Sequence, residues 1–410
     1  MEANVNRLLE EIKSSTSQIQ LPEGTGNSEK DIIRVISLCV QSLTEDSRYN
    51  DKWFTLIDSV IDRLWEKLNT GKWQDVFESH RHLYAFASYI KTGIILRRVN
   101  DQSDSSKISS ILTDAIKATD MGLLMGSSMR KELSHVANEL CRLIHSVSDY
   151  QDCPETNSFP KADNTEVELR GEAIPVVVCP SIESFSKNYF NPRKPVKLKG
   201  CIEHWPALQK WSNVKYILEK IGPRTVPVEI GSSYTSSEWS QKLMTVRSFI
   251  ETYMLKNNTP VGYIAQHQLF NQIVELLDDI REPEYCCLSD TYEKSSDGVD
   301  VNAWFGPAHT VSPMHYDPKH NLLTQIVGSK AILLADPKYN DDIYPYEDAL
   351  LFNTSQVDPE HPDFDQFPKF KDVQLMQCVL EPGDMLYIPP KWWHHVRSLS
   401  ASFSVSFWWK

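Results

Sequence analysis

Paired-cysteine chemistry is missing from this chain of 410 residues. Its eight cysteines, Cys39, Cys141, Cys153, Cys179, Cys201, Cys286, Cys287 and Cys378, include no C-x-x-C spacing. That excludes zinc modules built on such pairs and leaves scattered reduced thiols as the expectation. No apolar run approaches the roughly 20 residues that a membrane-spanning helix needs. The opening MEANVNRLLEEIK is charged and amphipathic, without the apolar centre of a secretory signal. A basic excess is also absent: Lys plus Arg number 42 against 55 for Asp plus Glu, a formal charge of −13. Direct nucleic-acid binding is therefore not expected, whereas a basic protein or peptide would suit this surface. These absences predict a soluble intracellular protein. With no basic import cluster to read, nucleus against cytoplasm stays open.

What is present falls into two textures. Residues 1–147 carry apolar positions at helical spacing, as in DIIRVISLCVQSL, where Ile32, Val35, Ile36, Cys39 and Val40 share a stripe. The pattern returns in WFTLIDSVIDRLWEKL, DVFESHRHLYAFASYIKTGIILRRV, SSKISSILTDAIKATDMGLLM and KELSHVANELCRLIHSV. No repeat period emerges, so an irregular all-helical domain is predicted, with binding of a protein partner as its role. Its aromatics read as core, and His80, His82, His135 and His145 as surface residues. Residues 148–172, polar and without either period, read as a flexible linker.

From residue 173 to 410 short β-branched and aromatic runs alternate with turn residues. IPVVVCP, PVKLKG, TVPVEIG, VGYIAQ, VNAWFG, TQIVG, KAILLAD, DMLYIP and SFSVSFWW all have strand texture. SIESFSKNYF and NVKYILEKIG read as helices, and LFNQIVELLDDI as helix or mixed loop. The overall class is α+β: a helical domain, then many short strands that suggest a barrel or double-sheet jelly roll. SFSVSFWWK is expected to be an inner strand.

Within that half, SPMHYD places His315 and Asp317 two apart, on one face of an extended segment. GDMLYIPPKWWHHV offers a third ligand from another strand, with His394 and His395 aimed at opposite faces. Two histidines and one carboxylate with open positions suit mononuclear Fe(II). Lys330, after a turn marked by Gly328, would be buried only to meet an anion. His309, His320 and His361 sit in loop-like sequence and read as solvated.

The order of Phe185-x-x-x-Tyr189-Phe190, PVKLKG with HWPALQKW, SPMHYD, NLLTQIVGSK and EPGDMLYIPPKWWHHV resembles the JmjC-domain oxygenases, in particular their small cupin-like hydroxylase branch. The resemblance covers residues 173–410 and implies a double-stranded β-helix that is the catalytic barrel. It implies Fe(II) on His315, Asp317 and His394, with 2-oxoglutarate and O2 as cosubstrates. The far carboxylate of 2-oxoglutarate would rest on Lys330, beside Tyr263, Ser312 and Asn321, whose phenol, hydroxyl and amide suit a carboxylate. His395 stands where an aromatic is common. Glu229, Tyr234 and Trp239 are expected to frame a substrate guanidinium, with Gln266, Trp304 and Trp408 bordering the pocket. The implied activity is hydroxylation of a protein arginine at C3, with N-methyl-lysine demethylation of a histone tail second. The resemblance also makes the nucleus the favoured compartment. A cupin-fold binding module without catalysis is the reading from another class; an incomplete metal set or a missing lysine would have favoured it, and neither occurs.

Overall fold

The computed structural model describes residues 1–18, 27–45, 49–71, 75–147, 158–160, 169–231, 235, 239–256, 261–290 and 298–410. Six long helices come first: α1 (Glu2–Gln18), α2 (Asn27–Glu45), α3 (Asp51–Asn69), α4 (Glu78–Leu96), α5 (Ser105–Met125) and α6 (Arg130–Val147). Asn50 and Asp104 cap α3 and α5 by accepting from the backbone N–H of Lys52 and Ser106. Helix α4 is buried on nearly every face, from His80 through Leu96, and so forms the centre of the bundle. Two consequences differ from the sequence reading. His80 is not a surface residue: it is buried with its Nε2 3.3 Å from Glu29. Within the expected linker, Phe159 is buried against Phe305 and Ser158 is bridged to Asn213.

Fourteen strands follow among the described residues. They are β1 (Glu172–Ala173), β2 (Val176–Val178), β3 (Val196–Lys199), β4 (Thr225–Ile230), β5 (Ser240–Thr245), β6 (Gly262–His267) and β7 (Asp300–Gly306). Then come β8 (Val311–Tyr316), β9 (His320–Val327), β10 (Lys330–Ala335), β11 (Leu375–Leu380), β12 (Met385–Ile388), β13 (Trp393–Ser398) and β14 (Ser402–Trp409). Every strand-like run named above supplies one of them. Strands β5 and β11 had escaped, because SQKLMT and LMQCVL carry little β-branched alternation. LFNQIVELLDDI forms one helical turn and then a 3-10 stretch.

Among the described residues the strands form two sheets, β1-β11-β10-β13-β8 and β2-β3-β12-β9-β14-β7-β6-β4-β5, and no ladder closes them into a barrel. The architecture is thus the double-sheet alternative. Ile332, Leu334, Leu380 and Val396 from the smaller sheet meet Leu323, Leu386 and Ile388 from the larger one, which makes the space between the sheets an apolar core. Strand β14 runs between β9 and β7 in the middle of the larger sheet. His320, expected in a loop, begins β9 and is buried, stacked on Phe190 at 4.4 Å and bonded to Tyr387 Oη and Asp290.

The helical bundle meets the larger sheet through one buried ion pair. Asp120 on α5 accepts from Arg224 Nε at 2.9 Å and Nη2 at 2.7 Å, from the Thr225 N–H at 2.6 Å and from Gln272 Nε2 at 3.0 Å. Both charges are almost entirely out of water. Removing one partner strands the other, so Asp120→Ala should lower unfolding free energy by roughly 3–5 kcal/mol in denaturant titrations. Ending the chain at Phe403 removes most of β14 and should leave a product that fails to fold, read by loss of the cooperative transition.

Candidate active site between the two sheets

The pairing of β13 with β8 assembles the candidate metal ligands. His394 lies directly opposite His315, and the next paired residues are Val396 and Ser312. Two steps along β13 thus match three along β8, a bulge that re-aims side chains beside a site. Beyond it, His315 and Asp317 share the inner face as their spacing predicted. The ligand atoms of His315, Asp317 and His394 lie within 4.8 Å of one another. His394 Nε2 is 3.5 Å, and His315 Nε2 4.0 Å, from Asp317 Oδ2. Each imidazole is held from behind: His315 Nδ1 donates to the Pro313 carbonyl at 2.7 Å, and His394 Nδ1 to that of Trp392 at 3.0 Å. Those bonds fix the tautomer and turn the Nε2 atoms toward the carboxylate.

Electrostatics keep this group ready for a cation. Burial first, and then the neighbouring His394, push His315 down to about 4, against the pull of Asp317. It is therefore neutral at ordinary pH, the form a metal needs. Burial alone would raise the Asp317 carboxyl, but the two imidazoles outweigh it and hold it below the usual carboxylate range.

The same cavity continues past Ser312, Asn321 and Lys330 and is walled by Tyr263, Trp304, Leu323, Ile388, Val396 and Trp408. Gly328, at φ +69°, makes the turn into β10, and a Cβ there would meet the Ala401 carbonyl at 2.0 Å. The turn sets Lys330 at the first position of β10, where its ammonium donates to Tyr263 Oη at 2.9 Å. Only 1% of Lys330 is exposed, and burial pulls its ammonium down to about 7. Nearby, Asn321 Oδ1, Trp408 Nε1 and Asp317 Oδ2 are buried without a hydrogen-bond partner among the described residues. A lone buried cation and three orphaned polar atoms in one cavity are what a polar ligand would leave behind. The donor set fits the expected groups: His, Asp and His suit Fe(II), and a cation with a phenol, a hydroxyl and an amide suits a carboxylate.

Of the expected substrate residues, Trp304 and Trp408 line this cavity. Glu229 sits opposite Tyr263 in the β4–β6 pair, half-buried, and accepts from Trp239 Nε1 at 3.2 Å. Burial raises its carboxyl despite that bond. Tyr234 lies outside the described residues. Gln266 does not join the cavity: a register shift in β6 between Ile264 and His267, with Gln266 at φ 45°, turns it outward to a different groove. Sequence reasoning missed the apolar wall of Leu323, Ile388 and Val396. Period-two spacing from Asn321 and His394 was the available signal for two of these.

This geometry defines a class, and comparison agrees with it. A model of the cupin-like domain matches residues 182–410. The chain belongs to the cupin-like JmjC family of 2-oxoglutarate-dependent oxygenases, whose members generally use Fe(II). It is 40% identical over 399 residues to lysine-specific demethylase 8 of Xenopus tropicalis, spanning 85% of this chain and 87% of that protein. Jumonji C domain-containing protein 5 of Drosophila melanogaster is 39% identical over 364 residues, 87% and 86% of the two chains. The bifunctional peptidase and (3S)-lysyl hydroxylase of Homo sapiens shares 26% over 255 residues, 55% of this chain and 79% of that one. Among the described residues no helix is long and apolar enough to cross a membrane.

The Lys330 cation carries a sign that titration can read. Its ammonium is disfavoured in the folded state, so the cost is fully present below pH about 7 and relieved as pH rises toward the unfolded-state value of about 10.4. In the ligand-free protein Lys330→Met should therefore raise stability at pH 6.5, and that advantage should shrink steadily by pH 10 in urea titrations.

Proposed function

We propose that this chain is an Fe(II)- and 2-oxoglutarate-dependent protein hydroxylase acting on arginine at C3. The observation that carries the choice of side chain is Glu229, a half-buried carboxylate on the same face as cavity-lining Tyr263 and oriented by Trp239. Residues directly opposite in an antiparallel pair stand side by side, so the carboxylate borders the mouth of the cavity. A planar guanidinium can engage both its oxygens and stack on an indole, a two-point match that an ammonium lacks.

In this reading His315, Asp317 and His394 hold the metal. Lys330 and Tyr263, with Ser312 and Asn321, hold the far carboxylate of 2-oxoglutarate and restore a counter-charge to the buried ammonium. Trp304 and Trp408 border the substrate, Glu229, Trp239 and Tyr234 frame the guanidinium, and the apolar wall excludes water. When bound, Fe(II) with 2-oxoglutarate and O2 supplies an oxidation that puts one oxygen atom into a substrate C–H bond and the other into succinate, with loss of carbon dioxide. The residues of the chain place the C–H bond and keep the site dry.

Demethylation of N-methyl-lysine is the second reading, favoured by the names of relatives 40% and 41% identical, both lysine-specific demethylase 8. That reading carries with it a nuclear, chromatin-linked role and a histone-tail substrate. The helical bundle is assigned to a protein partner.

Succinate release with Fe(II), 2-oxoglutarate and arginine or methyl-lysine peptides tests the class. Wild type should turn over and His315→Ala should not; equal inactivity across all peptides would favour a non-catalytic binding module. Mass spectrometry of the peptide separates the chemistries, since hydroxylation adds one oxygen whereas demethylation removes a methylene and releases formaldehyde. Glu229→Gln should lower kcat/KM on the arginine peptide roughly 10- to 100-fold, the worth of a charge-assisted hydrogen bond; an unchanged value would remove Glu229 from the substrate site.

A further inference from the structure

The strand that carries His394 inward carries His395 outward, opposite Leu333 on the far side of the smaller sheet. His395 is 3% exposed and makes no hydrogen bond to any described residue. Its ring nitrogen, an Asp358 carboxylate oxygen and a Glu360 carboxylate oxygen lie within 4.8 Å of one another. Asp358 is exposed, and Glu360 also lines a cleft with Arg170, His361 and Arg397, so the carboxylates are open to solvent on one side. Arg397 Nε donates to Glu360 Oε1 at 2.9 Å and Oε2 at 2.8 Å. A carboxylate has about four lone-pair sites, so that contact leaves acceptor capacity on both oxygens. Asp358 Oδ1 accepts from the Glu360 N–H, a turn that brings both acids to one side.

We propose that His395, Asp358 and Glu360 form a second divalent-cation site, of the zinc class, on the outer face of the strand whose inner face carries His394. One nitrogen and two carboxylate oxygens make a three-residue set with a fourth position for water. The ion would tie the segment around Asp358 to β13. Upstream, that segment already rests on β8, through the Tyr316 N–H to the Asn353 carbonyl at 3.0 Å and a bridge from His315 to Thr354. An ion on His395 would thus clamp the outer side of the two strands that supply the inner ligands.

The site is tested on the untagged full-length chain, stripped with chelator, equilibrated with Zn2+ alone and assayed by elemental mass spectrometry and calorimetry. Wild type should hold two ions, and the double variant His315→Ala/Asp317→Ala one. Adding His395→Phe to that double variant should bring uptake to none. Adding Asp358→Asn instead, an exposed change that keeps the Oδ1 acceptor for Glu360, should weaken binding at least 10-fold and cancel the rise in Tm caused by Zn2+. This second variant decides the matter where His395→Phe does not fold. The proposal is overturned when the double variant binds no ion, or binds one that Asp358→Asn leaves unchanged. Neither outcome bears on catalysis at the inner site.

Discussion

Everything at the inner site depends on one antiparallel register, His394 against His315, with an extra residue in β8 beside it. Slipping a strand by one residue exchanges its two faces. Here a slip would send His395 and Trp393 into the cavity and His394 out of it. The bulge lets Ser312 and His315 both face inward although they are three apart, so the candidate metal and carboxylate positions share one cavity. The apolar core between the sheets holds this register, because Ile332, Leu334 and Val396 must meet Leu323 and Leu386.

The cavity concentrates polar groups away from water. Lys330 has been desolvated without a carboxylate, and Asn321, Trp408 and Asp317 each hold a polar atom with no partner among the described residues. Structures retain such costs where function needs them. Elsewhere the Asp120–Arg224 pair fixes the base of β4, the strand that also carries Glu229. The helical bundle is thus joined to the strand that borders the mouth of the site, rather than merely preceding it in the chain.

The two faces of β13 divide the chemistry. Inward, His394 meets His315, which burial keeps neutral, and Asp317, whose carboxyl is held below the usual range. Outward, His395 meets two acids without a hydrogen bond to either. The tandem histidine therefore places donor nitrogens on both sides of a single sheet.

The sequence alone determined much. Helical and strand periods separated two halves, and the His-x-Asp pair marked two candidate ligands that do share a face, whereas the lysine after Gly328 gained an anion-binding reading only beside that set. These were legible because spacing of two or three to four residues is a local property of the backbone. Only tertiary structure decided the rest. His80 and His320 are buried because Glu29, Phe190 and Tyr387 come to them from distant segments. Gln266 turns away because a register shift in β6 rotates it. Strands β5 and β11 exist because neighbouring strands pair with them, although their own residues have little preference for it. Which of two adjacent histidines faces the inner cavity depends on pairing register, and register is set by the whole core.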